Sequence, residues 1–172
     1  MTEIERYALW LLPAETVAPR CAKLIGRLAE RYGTPRFEPH VTLLGWVTGP
    51  KQELIARTEH LARGLRALKL LGQSIAGEPY YFRCLYIKLE KSRELLGAHE
   101  QASEIFMGGY ASDYLPHLSL LYGQLPRAEK ARLFAELETE LPADLDVDRL
   151  RLVRITLSVQ DWRPVVSHAL QA

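Results

Sequence analysis

Two histidines, each followed two positions later by a hydroxyl residue, are the residues of this chain best suited to chemistry. His40 precedes Thr42, and His117 precedes Ser119. Both copies begin with a proline, and both continue through apolar residues to a glycine. Side chains at positions i and i+2 of an extended strand project from the same face, so each copy would present an imidazole beside a hydroxyl. The intervening apolar residues would then face a core on the other side.

Two imidazoles in one groove could carry out acid and base catalysis. An unperturbed imidazole titrates near neutral pH, so one can accept a proton while the other donates one. Hydrolysis of a cyclic phosphodiester requires both events, because a base activates water while an acid protonates the departing ribose oxygen. The hydroxyls of Thr42 and Ser119 can donate hydrogen bonds to the non-bridging phosphate oxygens. We predict His40 and His117 as the catalytic pair, with no metal and no cofactor.

Other chemistries find less support in the sequence. A serine triad would need an acid to orient its base, and the chain has no GxSxG turn. His60, His99 and His168 lack companion ligands at metal-binding spacing, and we expect them to be surface residues. The chain has no GxxxxGK[ST] or GxGxxG pattern, so the sequence does not indicate a loop that binds nucleoside triphosphates or dinucleotides.

The elements that must position the two motifs form an internal repeat. A strand, a helix, a loop, a Pro-His-x-hydroxyl strand and a second helix occur over about 7–65 and again over about 81–141. Two similar halves related by a pseudo-two-fold axis would place both motif strands in one central groove.

Hydrophobic periodicity and turn residues predict the elements individually. Ser92 is expected to cap the third helix, and 142–148 to be a linker. The predicted strands are 7–12, 40–47, 67–75, 80–89, 117–122, 149–159 and 165–169, and the predicted helices are 14–32, 51–65, 93–106 and 126–141.

Size and charge limit the possible partners. The chain has 172 residues and a formal net charge of +1, whereas proteins that grip long nucleic acids usually carry a marked basic excess. No apolar run reaches the roughly 18 residues of a membrane span, and the acidic N-terminus does not resemble a secretory signal. The two cysteines have no ligand spacing. We expect one domain over 1–172, monomeric and cytoplasmic, with a small cyclic nucleotide as substrate.

The two motifs resemble the signature of the 2H phosphoesterase superfamily, and the whole chain is similar to its cyclic phosphodiesterase branch. The likeness includes the HxT of the first half, the HxSLLYG of the second and the aromatic segment 80–86. It implies an α+β, bilobal fold of two pseudo-symmetric lobes, with antiparallel sheets facing a central cleft and helices outside. It also implies metal-independent opening of ADP-ribose 1″,2″-cyclic phosphate to ADP-ribose 1″-phosphate, and of nucleoside 2′,3′-cyclic phosphates to 2′-phosphates.

The resemblance also assigns roles. His40 and His117 match the acid and base of the family, with His117 favoured as the base that activates water. Thr42 and Ser119 match its phosphate-holding hydroxyls, and Tyr122 matches its tyrosine after the second motif.

Other predictions concern substrate contacts and alternative functions. Tyr110 and Tyr114 lie in a glycine-containing loop before the second motif; they could stack on a base or be packed against the protein. One alternative is a 2H-type enzyme acting on RNA 3′ ends, either an RNA 2′,3′-cyclic phosphodiesterase or a 2′-5′ ligase-like enzyme, which the near-neutral charge disfavours. Another is a non-catalytic nucleotide-binding module.

Overall fold

The chain folds into helices and strands of the predicted α+β class, in a computed structural model that describes residues 4–107 and 113–172. No helix in these two ranges is long and apolar enough to cross a membrane. Short 3-10 turns occur at Tyr81–Arg83 and Val159–Asp161. The strands are β1 (Arg6–Pro13), β2 (Val41–Val47), β3 (Leu68–Ala76), β4 (Leu85–Leu89), β5 (His117–Leu121), β6 (Asp144–Ile155) and β7 (Arg163–Ala169), and the helices are α1 (Ala18–Tyr32), α2 (Lys51–Gly64), α3 (Arg93–Ile105) and α4 (Arg127–Leu137).

Most predicted elements are present, but 156–159, predicted as strand, lies beyond the end of β6, and two further segments differ. Residues 80–84, predicted as strand, contain a 3-10 turn, and β4 begins only at Leu85. Residues 144–148, predicted as linker, form the start of β6, where they pair with β3. Aspartate is rare in strands, but pairing and burial of the alternate residues Leu145 and Val147 outweigh that preference. Ser92 caps α3 as predicted, because its Oγ accepts a hydrogen bond from the Leu95 N–H at 3.2 Å.

The strands pair antiparallel throughout, in the order β1-β2-β5-β4-β3-β6-β7. Strand β6 also pairs with β1, so six strands close into a ring with β7 outside it. The first residues of β6 pair with β3 and the remainder with β1 of the first half. Strand β3 lies between the two halves and pairs with β4 of the second half, so β6 is linked to both halves. The motif strands β2 and β5 meet where Val41 pairs with Leu118.

The apolar residues of both motifs are buried, as predicted from their alternation with the polar residues. Val41, Leu43, Leu118 and Leu120 are each at most 1% exposed and belong to the main core. Helix α1 packs against β5, and α3 packs against β2. The helices therefore cover the apolar side of the motif strands, and the histidine side remains for a site.

A close backbone contact fixes the turn between β3 and β4. A Cβ at Gly77 would lie 2.4 Å from the carbonyl oxygen of Cys84, a distance that side-chain carbons do not adopt. The N–H of Glu78 also donates to the Arg83 carbonyl at 2.8 Å. This turn carries Phe82 and Arg83, which lie beside the site described below.

We expect Gly77→Ala to lower the free energy of unfolding by about 1–3 kcal/mol, because the added methyl must displace backbone atoms. Gly97, inside α3, is the matched control, because nothing lies within 4 Å of a Cβ built there. Gly97→Ala should raise stability by about 0.5–1 kcal/mol through the higher helix propensity of alanine. Urea unfolding of both variants measures the difference. A Gly77→Ala variant as stable as the wild type would show that the turn accommodates the methyl group without loss of stability.

Candidate active site

The two motif histidines are held by the same backbone hydrogen bond. The Nδ1 atom of His40 lies 2.7 Å from the carbonyl oxygen of Glu38, and that of His117 lies 2.7 Å from the carbonyl oxygen of Leu115. A carbonyl only accepts hydrogen bonds, so Nδ1 carries the hydrogen in both rings and Nε2 is the nitrogen available for proton transfer. A proline precedes each histidine and favours an extended conformation in the residue before it. The repeat therefore fixes the tautomer of both imidazoles.

The antiparallel crossing of β2 and β5 brings the two motifs together. Val41 pairs with Leu118, so the neighbouring positions of an antiparallel pair set each histidine opposite the hydroxyl residue of the other motif. The positive charge of His117 also depresses the pKa of His40, an effect that requires proximity. Four sequence-predicted residues thus share one face of the crossing: His40, Thr42, His117 and Ser119.

Tyr122, the fifth residue implied by the family resemblance, is buried between the two motifs. Its hydroxyl lies 3.5 Å from Nε2 of His40, at the long limit of a hydrogen bond. Burial raises the pKa of Tyr122, while a hydrogen bond with Ser119 acts in the opposite direction. Its ring stacks on Phe37 at a centroid distance of 4.0 Å. Tyr122 thus connects the imidazole of one motif to the hydroxyl of the other.

The two imidazoles differ in exposure and in the size of their pKa shifts. His40 is 5% exposed, and burial lowers its pKa from 6.5 to about 4, against the opposing effect of its hydrogen bond to Glu38. His117 is half-buried, and burial also lowers its pKa. The Arg83 charge lowers the pKa of His117 further, while the backbone hydrogen bond and Glu78 raise it. His40 is therefore neutral at neutral pH in the free protein.

An indole ring covers one face of the His40 imidazole. Trp10 stacks on the imidazole with the ring centroids 3.6 Å apart and the planes 10° from parallel. Its position in β1 is opposite Thr42, which places it on the site face. The sequence predicted only a strand over 7–12 and did not identify Trp10 as a site residue. Its pairing with the motif strand, which tertiary structure sets, is what assigns it to the site.

Further aromatic rings form a wall next to His40 and Tyr122. Trp162 meets His40 edge-on at 6.1 Å. Phe82 and Trp162 face each other at 5.9 Å with planes 23° apart, and both rings contact Tyr122. Trp162 lies between the last two predicted strands, and the sequence predicted no role for it. Phe82 comes from the turn that was predicted as strand, and its aromatic character was the signal that could have identified it.

Each histidine also has an arginine–glutamate pair beside it. Arg151 contacts the Glu38 carboxylate next to His40. Next to His117, Arg83 and Glu78 form an ion pair at 3.3 Å. The Tyr86 hydroxyl donates to Glu78 at 3.0 Å, and the Tyr86 ring lies 5.0 Å from the His117 ring. The two arginines contribute positive charge, but both have carboxylate partners.

Of the two loop tyrosines, Tyr114 packs against the protein, one of the two predicted alternatives. Tyr110 lies outside the described residues. The Tyr114 hydroxyl donates to the Thr42 carbonyl at 3.1 Å, and its ring stacks on His99 at 4.0 Å. The prediction that His99 is a surface residue is wrong, because it is 8% exposed and its Nδ1 donates to the Leu43 carbonyl at 2.7 Å. His60 is exposed and His168 half-buried.

Tyr114 and His99 support an irregular point in β2. Trp10 pairs with Thr42 but Leu9 pairs with Leu44, so Leu43 is an extra residue in that strand. Such a bulge disrupts the ladder and re-aims neighbouring side chains. The hydrogen bonds from Tyr114 and His99 satisfy the carbonyls of Thr42 and Leu43 at this point. Tyr114 therefore stabilises the motif strand β2 through its backbone.

Paired imidazoles, hydroxyl donors and an aromatic wall can together accommodate a phosphoryl group attached to a planar base. Within residues 4–107 and 113–172, no group of three or more histidine, cysteine, aspartate or glutamate side chains is arranged to hold a metal ion.

The chain is similar to known proteins over nearly its whole length. A family model described as cyclic phosphodiesterase-like protein matches residues 6–170. The chain is 31% identical to a cyclic phosphodiesterase of Arabidopsis thaliana, over 94% of this chain and 90% of the relative. It is 27% identical to a 2′,3′-cyclic-nucleotide 3′-phosphodiesterase of Phaeosphaeria nodorum, over 95% of this chain and 98% of the relative. The structure of E. coli LigT complexed with 3′-AMP shares the fold, with a TM-score of 0.61 and 16% identity over 99% of this chain and all of LigT.

The stacked indole gives a direct test of the site electrostatics. In Trp10→Ala, we expect the pKa of His40 to rise from about 4 toward 6.5, because water would reach the ring and stabilise its charged form. Trp10→Phe should keep the pKa low, because it retains an aromatic cover. Titration of the imidazole by NMR measures each value, and Trp46→Ala, which removes an exposed indole, serves as the control. An unchanged pKa in Trp10→Ala would mean that other groups bury His40.

Proposed function

The chain belongs to the cyclic phosphodiesterase branch of the 2H phosphoesterases, and from this premise we propose that it hydrolyses small cyclic phosphodiesters with His40 and His117 as a metal-independent acid–base pair. The proposed substrates are ADP-ribose 1″,2″-cyclic phosphate and nucleoside 2′,3′-cyclic phosphates. The proposed products are ADP-ribose 1″-phosphate and nucleoside 2′-phosphates.

One observation carries the catalytic part of this proposal. Each imidazole donates its Nδ1 hydrogen to a carbonyl two residues earlier, at the same 2.7 Å. A structural histidine could use either nitrogen, whereas this arrangement keeps Nε2 available in both copies for proton transfer. The crossing of β2 and β5 supports the proposal that both rings contact one phosphate, because it brings the two motifs side by side.

Attack by water and departure of the ribose oxygen need opposite proton transfers. We assign His117 as the base whose Nε2 takes a proton from water as the new P–O bond forms. His40 is the acid: the anionic substrate raises its pKa in the complex, and the protonated Nε2 gives its proton to the ribose oxygen as the old P–O bond breaks. Thr42 and Ser119 donate hydrogen bonds to the non-bridging oxygens as their charge is redistributed. One water is consumed, and proton exchange with solvent resets the pair.

The character of the surrounding residues supports a nucleotide as substrate. The aromatic wall that includes Phe82 and Trp162 suits a planar base, since stacking on aromatic rings does not depend on base identity. The fold relative LigT is complexed with 3′-AMP. Arg83 and Arg151 are already paired with carboxylates, which fits a reacting group that carries a single negative charge.

We also propose that residues 1–172 form one bilobal domain that acts as a cytoplasmic monomer. Strand β6 supports the single domain, because it pairs with β1 of the first half and, through β3, is linked to β4 of the second half. Size-exclusion chromatography with light scattering tests the monomer.

The decisive assay incubates the protein in EDTA with ADP-ribose 1″,2″-cyclic phosphate, 2′,3′-cyclic AMP and a short RNA ending in a cyclic phosphate. We expect hydrolysis of the two small compounds. His40→Ala and His117→Ala should each lower kcat by roughly 10²–10⁴-fold, because each removes one proton-transfer group. Product formation is followed by chromatography.

His60→Ala is the matched control, since His60 is exposed on α2, and it should retain full activity. Nucleotide binding without product would overturn the enzymatic proposal in favour of a binding module. Faster turnover of the oligonucleotide would instead assign the protein to RNA ends.

The pH dependence of kcat/KM tests the pairing of the two histidines. This ratio reports the ionisation of the free enzyme, and the mechanism needs one proton on the pair. Burial lowers the pKa of both groups below 6.5, that of His40 to about 4. The profile should therefore be bell-shaped, with its maximum below pH 6.5. The profile of kcat should lie at higher pH, because the bound phosphate favours the protonated imidazole. A maximum of kcat/KM above pH 7 would contradict the assignment.

A further inference from the structure

The surface on the far side of His117 from His40 contains a lysine that the mechanism does not use. Lys88 is on β4 and pairs with His117 of β5 in the antiparallel register. Tyr86, two residues earlier on the same strand, contacts the His117 ring at a centroid distance of 5.0 Å. Residues two apart in a strand share a face. Both observations place Lys88 on the face that carries the site.

The charge of Lys88 is available to a ligand. Its residue is exposed, and among the residues the structure describes no carboxylate oxygen lies within 4.0 Å of its ammonium group. Arg83 and Arg151, the other cations near the histidines, are both paired. Cross-strand partners have Cβ atoms about 4.5–5.5 Å apart, and the long, flexible lysine stem adds to this reach. An anion just beyond the reacting phosphate is therefore within range.

The reacting phosphate does not need the positive charge of Lys88. A cyclic phosphodiester carries one negative charge, and two imidazoles and two hydroxyls already surround it in the proposed mechanism. An uncommitted ammonium group one strand further from the crossing suits a second anionic group on the same molecule.

We propose that Lys88 forms a subsite for a second phosphate of the substrate, so that cyclic phosphodiesters with a further phosphate or diphosphate are preferred. This inference rests on the proposed function and selects between its two substrate classes. ADP-ribose 1″,2″-cyclic phosphate carries a diphosphate in addition to its cyclic phosphate, whereas nucleoside 2′,3′-cyclic phosphates carry no second phosphate. The subsite favours the former class.

A pair of substrates that differ by one phosphate tests the subsite. The probes are 2′,3′-cyclic AMP and the same compound bearing a 5′-phosphate, with ADP-ribose 1″,2″-cyclic phosphate measured alongside. The wild-type protein should prefer the phosphorylated compound in kcat/KM. In Lys88→Gln this preference should fall about tenfold, the size of effect expected for one charge-assisted contact. Lys88→Arg should retain it in part, and added salt should reduce it in the wild type.

Lys23→Gln is the matched control, because this exposed lysine lies on α1, which packs against the other side of the sheet; it should keep the wild-type ratio. An unchanged ratio in Lys88→Gln would overturn the proposal, as would an equal loss on both compounds, which would place Lys88 at the reacting phosphate. If the wild-type protein hydrolyses neither compound, the proposed function fails, and the ratio of their dissociation constants still decides whether Lys88 binds the second phosphate.

Discussion

The hydrogen bond from each motif histidine to the carbonyl two residues before it is the interaction on which the rest of the site depends. It fixes Nδ1 as the protonated nitrogen of His40 and of His117, and so decides which ring atom meets a ligand. The proline between donor and acceptor keeps the chain extended. Since the device lies within three consecutive residues, it can be repeated in both halves of the chain. The strands then have only to bring the two copies together.

The two motif strands pair at a point where the sheet is irregular. Strands β2 and β5 pair through Val41 and Leu118, and β2 carries an extra residue at Leu43 soon afterwards. A bulge frees carbonyl groups, and leaving them without partners in a buried position costs about 1–3 kcal/mol each. Tyr114 and His99 supply the missing donors from outside the sheet. The strand that carries His40 and Thr42 can therefore bend without losing its hydrogen bonds.

Burial of the His40 imidazole has a thermodynamic consequence. The native ring stays neutral down to about pH 4, whereas an unfolded imidazole takes up a proton near pH 6.5. The unfolded state therefore binds more protons between these values, so this group makes stability fall as the pH is lowered from 6.5 to 4. The stacking with Trp10 keeps a catalytic candidate in its neutral form at a cost to acid stability. A negatively charged ligand would raise the pKa of the His40 ring, which would link binding to protonation.

The sequence by itself determined the local features of this protein. Two-residue alternation predicted that His40 and Thr42 share a face and that Val41 and Leu43 are buried. It predicted the same arrangement for the second motif. Capping rules located the start of α3, and the family resemblance identified the cyclic phosphodiesterase branch. These features depend on residues close together in the chain, whose geometry follows from strand and helix periodicity. Local patterns did not predict that Trp10, Trp162 and Lys88 lie around the histidines, or that His99 is buried. Strand register joins residues that are far apart in sequence, and no local pattern encodes that pairing.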